Sequence, residues 1–164
     1  MSSVNDIEFW EERIKMALGR GLLHHSIYEA DPVLWEAMET RHMAMIHEHL
    51  EPHSKVLDIA CGYGRYAPNF DHLNYTGVDI QPTFIKLAKE ANPDHNFVQE
   101  DVRSLPFEDN EFDVGFGVSI KAMIQRELGE DEWEIMETEL KRVCKKLLFL
   151  EYSDGRGNHL VENM

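Results

Sequence analysis

The sequence predicts one α/β domain built on a doubly wound, mainly parallel sheet of about five strands with flanking helices. Three observations carry this. From Lys55 onward, short apolar runs alternate with helical stretches, which implies right-handed crossovers between parallel strands covered on both faces. The first of those runs ends in a glycine loop, "ACGYGRYA", as a strand feeding a ligand-binding turn would. The length, 164 residues with 43% hydrophobic, suits a single domain with a full core.

Residues 1–53 read as an N-terminal helical cap and residues 54–164 as the core. In the cap, "NDIEFWEERIKMALG" places Ile7, Trp10, Ile14 and Leu18 at helical spacing, with Asn5 or Asp6 to cap it and Gly19 and Gly21 to end it. The irregular "LLHHSIYEA" follows. Asp31 then caps a second helix with Pro32 at its first position, and this helix runs to about Leu50, before Pro52. In the core, "KVLDIA" is a buried strand and the loop after it opens a helix. "YTGVDI", "NFVQED", "FDVGFGV" and "KKLLFLEY" are the next four strands. "PTFIKLAKEA" is a helix after the second strand and "DEWEIMETELKRVC" one before the fifth.

Composition excludes several classes. Sixteen Lys and Arg against 31 Asp and Glu leave a net charge of −15, which repels a phosphate backbone, so no nucleic-acid partner is expected. The cluster Lys141, Arg142, Lys145 and Lys146 reads as the basic end of a helix. Two cysteines, Cys61 and Cys144, make no disulfide framework and read as reduced thiols. The N-terminus lacks a signal-peptide pattern and no apolar run approaches a membrane span, so a soluble, cytoplasmic protein with no membrane partner is expected. His42, His47, His49 and His53 lack compact ligand spacing, so no metal site is expected.

Ligands of such sheets bind beyond the carboxyl ends of the strands. The residues at those ends are Asp58 to Gly64, Asp79 to Gln81, Asp101 to Arg103 and Gly117 to Ser119. Gly62-x-Gly64-x-x-Ala67 fits a dinucleotide fingerprint, and Asp79 would then clamp the ribose. Asp79 also fits a helix cap. Asp58 separates the candidates. A carboxylate there opposes a pyrophosphate but suits a cofactor carrying an ammonium and a sulfonium, for which the glycines give close backbone approach rather than an anion cradle. Asp58 could equally bond the loop amides. Asp101, at the third strand end, suits an adenine amine, with the Val102 amide beside the ring.

Taken together, "VLDIACGYGR", "YTGVDI" and "VQEDVRSLPFEDNEFDVGFGV" resemble the motifs of the class I S-adenosylmethionine-dependent methyltransferases, over Lys55 to about Asp154. The resemblance implies a small-molecule methyltransferase using S-adenosylmethionine and releasing S-adenosylhomocysteine. It assigns Ala60, Cys61, Gly62 and Gly64 to the methionine end and Asp58 to its amino group, directly or through the loop. Asp79, with Ile80 and Gln81, goes to the ribose, and Asp101 and Val102 to adenine. Gly117, Val118 and Ser119 lie where cofactor and substrate meet, and Arg65 either reaches the cofactor carboxylate or stays on the surface. Ala60 stands where the family pattern has its first glycine. Two further departures count. Only "GRGNHLVENM" follows the fifth strand, so the family's C-terminal antiparallel hairpin is expected to be absent and the fifth strand to be an edge, covered by a homodimer partner or by the N-terminal helices. No base-flipping signature follows the fourth strand, which reads "GVSIKAMIQ".

His24, His25 and Tyr28 lie in an irregular stretch ahead of the core. They are read as a lid that covers the cofactor and polarises the acceptor, or else as a polar connector. Two other functions stay open: a non-catalytic module that binds or sequesters the cofactor, and an NAD-dependent oxidoreductase, which Asp58 and the length disfavour.

Overall fold

The computed structural model describes residues 7–19, 32–150 and 161–163. Among the described residues two helices come first, α1 (Ile7–Gly19) and α2 (Pro32–His47). The core follows as β1 (Val56–Ile59), β2 (Tyr75–Asp79), α3 (Pro82–Ala91), β3 (Asn96–Gln99), β4 (Phe112–Val118), α4 (Lys121–Glu127), α5 (Glu130–Val143), β5 (Cys144–Leu150) and β6 (Val161–Asn163). The sheet order is β3-β2-β1-β4-β5-β6. The first five strands run parallel, so the chain walks outward from β1 to β3 and then resumes on β1's other side with β4. That reversal places a topological switch point at the carboxyl ends of β1 and β4.

Strand composition explains the two buried faces. All four residues of β1 are buried, as expected of a central parallel strand. One face, with Leu57, Ile59, Phe112 and Phe149, packs on Trp133, Met136, Leu140 and Val143 of α5. Those four recur at helical spacing, and α5 adds acids in its first turn and Lys141 and Arg142 in its last, matching the helix dipole. The other face, with Val56, Val114, Phe116 and Leu148, receives Met43 and Ile46 of α2. Against α1 stand Tyr63 of the glycine loop and Phe84 of α3, which meet Ile14 and Ala17. Leu18, expected on the apolar face of α1, is half exposed instead, because Ala17 takes the inward position.

Several expectations need correction. The glycine loop opens no α-helix; a three-residue 3-10 turn, Ala67–Asn69, takes its place. Gly62 and Gly64 hold positive φ, outside right-handed helical backbone, and the chain turns extended at Phe70 directly after Asn69. Helix α2 ends at His47 rather than near Leu50. Cys144 starts β5 instead of ending α5. Helix α4, not expected at all, fills part of the link between β4 and α5. The fifth strand is not an edge: β6 pairs antiparallel with it, Leu148 opposite Asn163 and Leu150 opposite Val161. One short antiparallel strand therefore stands where the expected fold had none.

Candidate cofactor site

A cavity of about 180 Å³ opens at the switch point. Of the residues expected at a cofactor site, Ala60, Asp79, Ile80, Asp101, Val102, Val118 and Ser119 line it. The strand ends therefore converge as their positions implied. Two of these residues, Ala60 (φ 55°) and Ser119 (φ 58°), hold left-handed backbone directly after the adjacent strands β1 and β4. Non-glycine residues in that region cost roughly 1–2 kcal/mol each, and such strain concentrates at ligand sites.

Asp79 ties the site together. Its Oδ2 accepts from the Gly62 N–H at 2.9 Å and its Oδ1 from the Gln81 N–H at 2.9 Å. One carboxylate thus fixes the glycine loop and the start of α3. Burial pushes its pKa up to about 6, against the pull of those backbone donors. Gln81 turns inward and caps α3 through its side-chain oxygen, which accepts from the Thr83 N–H at 3.5 Å.

Asp101 faces the cavity from the turn after β3. Arg103 holds it in a fork: Nε lies 3.0 Å from both oxygens, Nη2 donates to Oδ2 at 2.5 Å, and the Arg103 N–H donates to Oδ1 at 2.9 Å. Those hydrogen bonds hold the Asp101 carboxyl below its ordinary pKa.

The remaining expected residues stand away from the cavity wall. Asp58 is 2% exposed, and its Oδ2 accepts from the Tyr75 hydroxyl at 2.6 Å. Burial raises it to about 7, only partly offset by that hydrogen bond and by Arg65. Cys61 sits in the core with Tyr75, Ala88 and Phe97, and burial pushes its thiol well up. Gly64 is glycine for the protein's own packing. An added Cβ would lie 2.7 Å from the Phe97 ring, at φ +74°. Gly117 is similar, with Ile120 2.6 Å from an added Cβ. Arg65 turns toward α2: its guanidinium stacks 4.0 Å from the Trp35 ring centroid, donates to the Tyr66 hydroxyl at 3.1 Å and pairs with Glu39 at 3.4 Å. His24, His25 and Tyr28 lie outside the described residues.

Sequence reading missed Trp10, Phe84, Ile120, Met123, Ile124 and Met136, which complete the wall. Ile120, Met123 and Ile124 share the i, i+3, i+4 spacing of a helix face, the signal that α4 existed. The wall carries two carboxylates and, among its described lining residues, no Lys or Arg.

A family model described as a methyltransferase domain matches residues 57–147, more than half of the chain. Among curated proteins, the chain is similar to a probable phthiotriol/phenolphthiotriol dimycocerosates methyltransferase 2 of Mycobacterium ulcerans (strain Agy99). The two are 32% identical over 108 residues, covering 62% of this chain and 40% of that protein. It is also similar to a fatty-acid O-methyltransferase of Mycolicibacterium smegmatis, 30% identical over 114 residues, covering 64% of this chain and 38% of the other. The chain thus spans about two fifths of the length of these curated relatives. Among solved structures, a SAM-dependent methyltransferase from Methanosarcina mazei matches with a TM-score of 0.58 and 27% identity, over 66% of this chain and 57% of that one. A protein from Pyrococcus horikoshii OT3 shares the fold with a TM-score of 0.62 at 24% identity, over 71% and 57% of the two chains.

Proposed function

Because this chain belongs to the methyltransferase-domain family of S-adenosylmethionine-dependent proteins, we propose that it binds S-adenosylmethionine at the switch-point cavity and methylates a small-molecule acceptor. The observation that carries the choice of cofactor is the charge of the wall. Asp79 and Asp101 face the cavity with no basic side chain among its lining residues. A pyrophosphate would meet Asp79 and Asp101, while Arg103 lies off the wall and is already paired with Asp101 and Glu132, so its approach is unfavourable at close range. A phosphate-free cofactor with hydroxyl and amine donors meets two acceptors.

The residues present fit that cofactor. Asp79 would accept from the ribose hydroxyls while it keeps the Gly62 loop in place. Asp101 would accept from the adenine amine. Ile80, Val102 and Met123 offer apolar surface to the ring. The cavity is below the ~300–1,000 Å³ of sites that enclose a drug-sized ligand, so it would take the nucleoside end rather than the whole cofactor. When bound, the cofactor supplies an activated methyl on a sulfonium leaving group, and the protein's part is to position both reactants and exclude water. Asp58 acts behind the loop rather than on the ligand, through Tyr75. The similarity to a fatty-acid O-methyltransferase supports an acceptor of that class, and the net charge of −15 speaks against a nucleic-acid partner.

Calorimetric titration with S-adenosylhomocysteine and with NAD tests the cofactor. Binding of the former and not the latter is expected, and the reverse would overturn the proposal. Release of S-adenosylhomocysteine in the presence of fatty-acid or lipid-hydroxyl acceptors tests the transfer. Tight binding with no turnover across that panel would leave a cofactor-binding module instead.

A further inference from the structure

Arg103 is not on the cavity wall, yet it connects two elements that are. Its guanidinium grips Asp101 from one side, and its Nη1 reaches Glu132 of α5 at 3.3 Å on the other. Glu132 lies one turn before Met136, which also lines the cavity. The chain Asp101–Arg103–Glu132 therefore spans from the β3 turn to α5 along the rim.

The geometry also counts lone pairs. A carboxylate offers about four acceptor positions. Arg103 takes two on Oδ1 with its N–H and Nε, while Oδ2 receives Nη2 and the shared Nε. These four contacts come from three hydrogens, the Nε one bifurcated between both oxygens, so about one of the four positions is left for a further donor on a carboxylate held by the fork. A lone aspartate at a rim, about one third exposed, would sample several rotamers and share its charge with water.

We propose that Arg103 is a positioning residue for the cofactor: it locks the Asp101 carboxylate so that its one open acceptor position selects an amine donor on the purine ring. This rests on the assignment of S-adenosylmethionine to the cavity. The selection is for adenine over a purine bearing a carbonyl at the same carbon. A fixed carboxylate repels that carbonyl, and a mobile one can turn away.

The test compares S-adenosylhomocysteine with S-inosylhomocysteine, which carries a carbonyl in place of the amine, by calorimetry at pH 7.5. The native protein is expected to prefer the adenosine compound by at least about 30-fold, since a site built to bond an N–H rejects a ligand lacking it. Arg103→Ala should shrink that preference to about threefold or less. Arg103→Lys should restore part of it, because a lysine keeps the charge without the fork. In the Asp101→Asn background, removing Arg103 should change the preference no further, as expected of two groups acting as a unit. A merely structural role would weaken both ligands equally and leave the ratio intact. Preserved preference in Arg103→Ala overturns the inference. Should Arg103→Ala not fold, Arg103→Gln gives the same reading. If the native protein binds neither compound, the cofactor assignment itself fails, a distinct outcome.

Discussion

Asp58 gives the sharpest physical test of the site's interior. Its carboxyl is buried beneath the glycine loop and its pKa is raised to about 7, chiefly by desolvation. The folded protein therefore holds a proton that the unfolded chain releases near 3.8. Between those values the folded state binds more protons than the unfolded state, so Asp58 costs progressively more stability as pH rises through this window and levels off above it. At about 1.36 kcal/mol per pK unit, the change from pH 5.5 to 7.5 is about 2 kcal/mol. Asp79, raised to about 6, acts in the same direction and adds about 0.8 kcal/mol over that range.

The perturbation is Asp58→Asn, which does not titrate and whose Oδ1 can still accept from the Tyr75 hydroxyl. Free energies of unfolding come from urea melts of both proteins at pH 5.5, 6.5 and 7.5. Groups that do not interact with Asp58 cancel in the difference between native and variant, and Asp79, whose charge is the smallest of the influences on Asp58, leaves only a minor remainder. That difference should shift by about 2 kcal/mol against the native protein from pH 5.5 to 7.5. A difference constant to within about 0.5 kcal/mol, the usual uncertainty of additive comparisons, would refute the buried-carboxyl reasoning.

Three other substitutions probe the same loop. Asp79→Ala should weaken S-adenosylhomocysteine binding by about 1–3 kcal/mol, read by calorimetry. Gly64→Ala should lower unfolding stability by about 2–4 kcal/mol in urea melts, combining the clash with Phe97 with left-handed strain. Ala60→Gly should raise stability by about 1 kcal/mol, because relief of strain at φ 55° exceeds the glycine's extra chain entropy; cofactor affinity measured alongside shows whether the strain serves binding.

The sheet was readable because parallel strands buried on both faces are continuous apolar runs, and β4 and α3 match their expected spans residue for residue. Helix α4 escaped notice because seven residues carry barely two turns of period. Strand β6 is three residues long, and its place depends on a partner already ordered in β5 rather than on its own pattern. At the site, the strand-end acids were legible from position alone. Their partners were not. Tyr75 on Asp58, Arg103 on Asp101 and Gly62 on Asp79 are choices of side-chain direction that a linear sequence does not encode. Arg65 shows the same limit: adjacency to the loop suggested the cofactor, while stacking on Trp35 turned it toward α2.

The glycines serve the protein's own packing as much as a ligand's approach. Gly62 and Gly64 looked like concessions to a ligand's approach, yet Gly64 is required by Phe97 and Ala88 on the protein's own side. Gly62 donates its N–H to Asp79 and is thereby held within the site. The loop is shaped from below by packing and from the side by one carboxylate. Its strained residue, Ala60, is the part that faces the cavity. A loop fixed this way needs no anion to order it, unlike a phosphate-binding loop whose amides converge on the ligand. Its preorganisation and the acidic wall favour the same tenant: a cofactor that brings donors and a positive charge rather than phosphate.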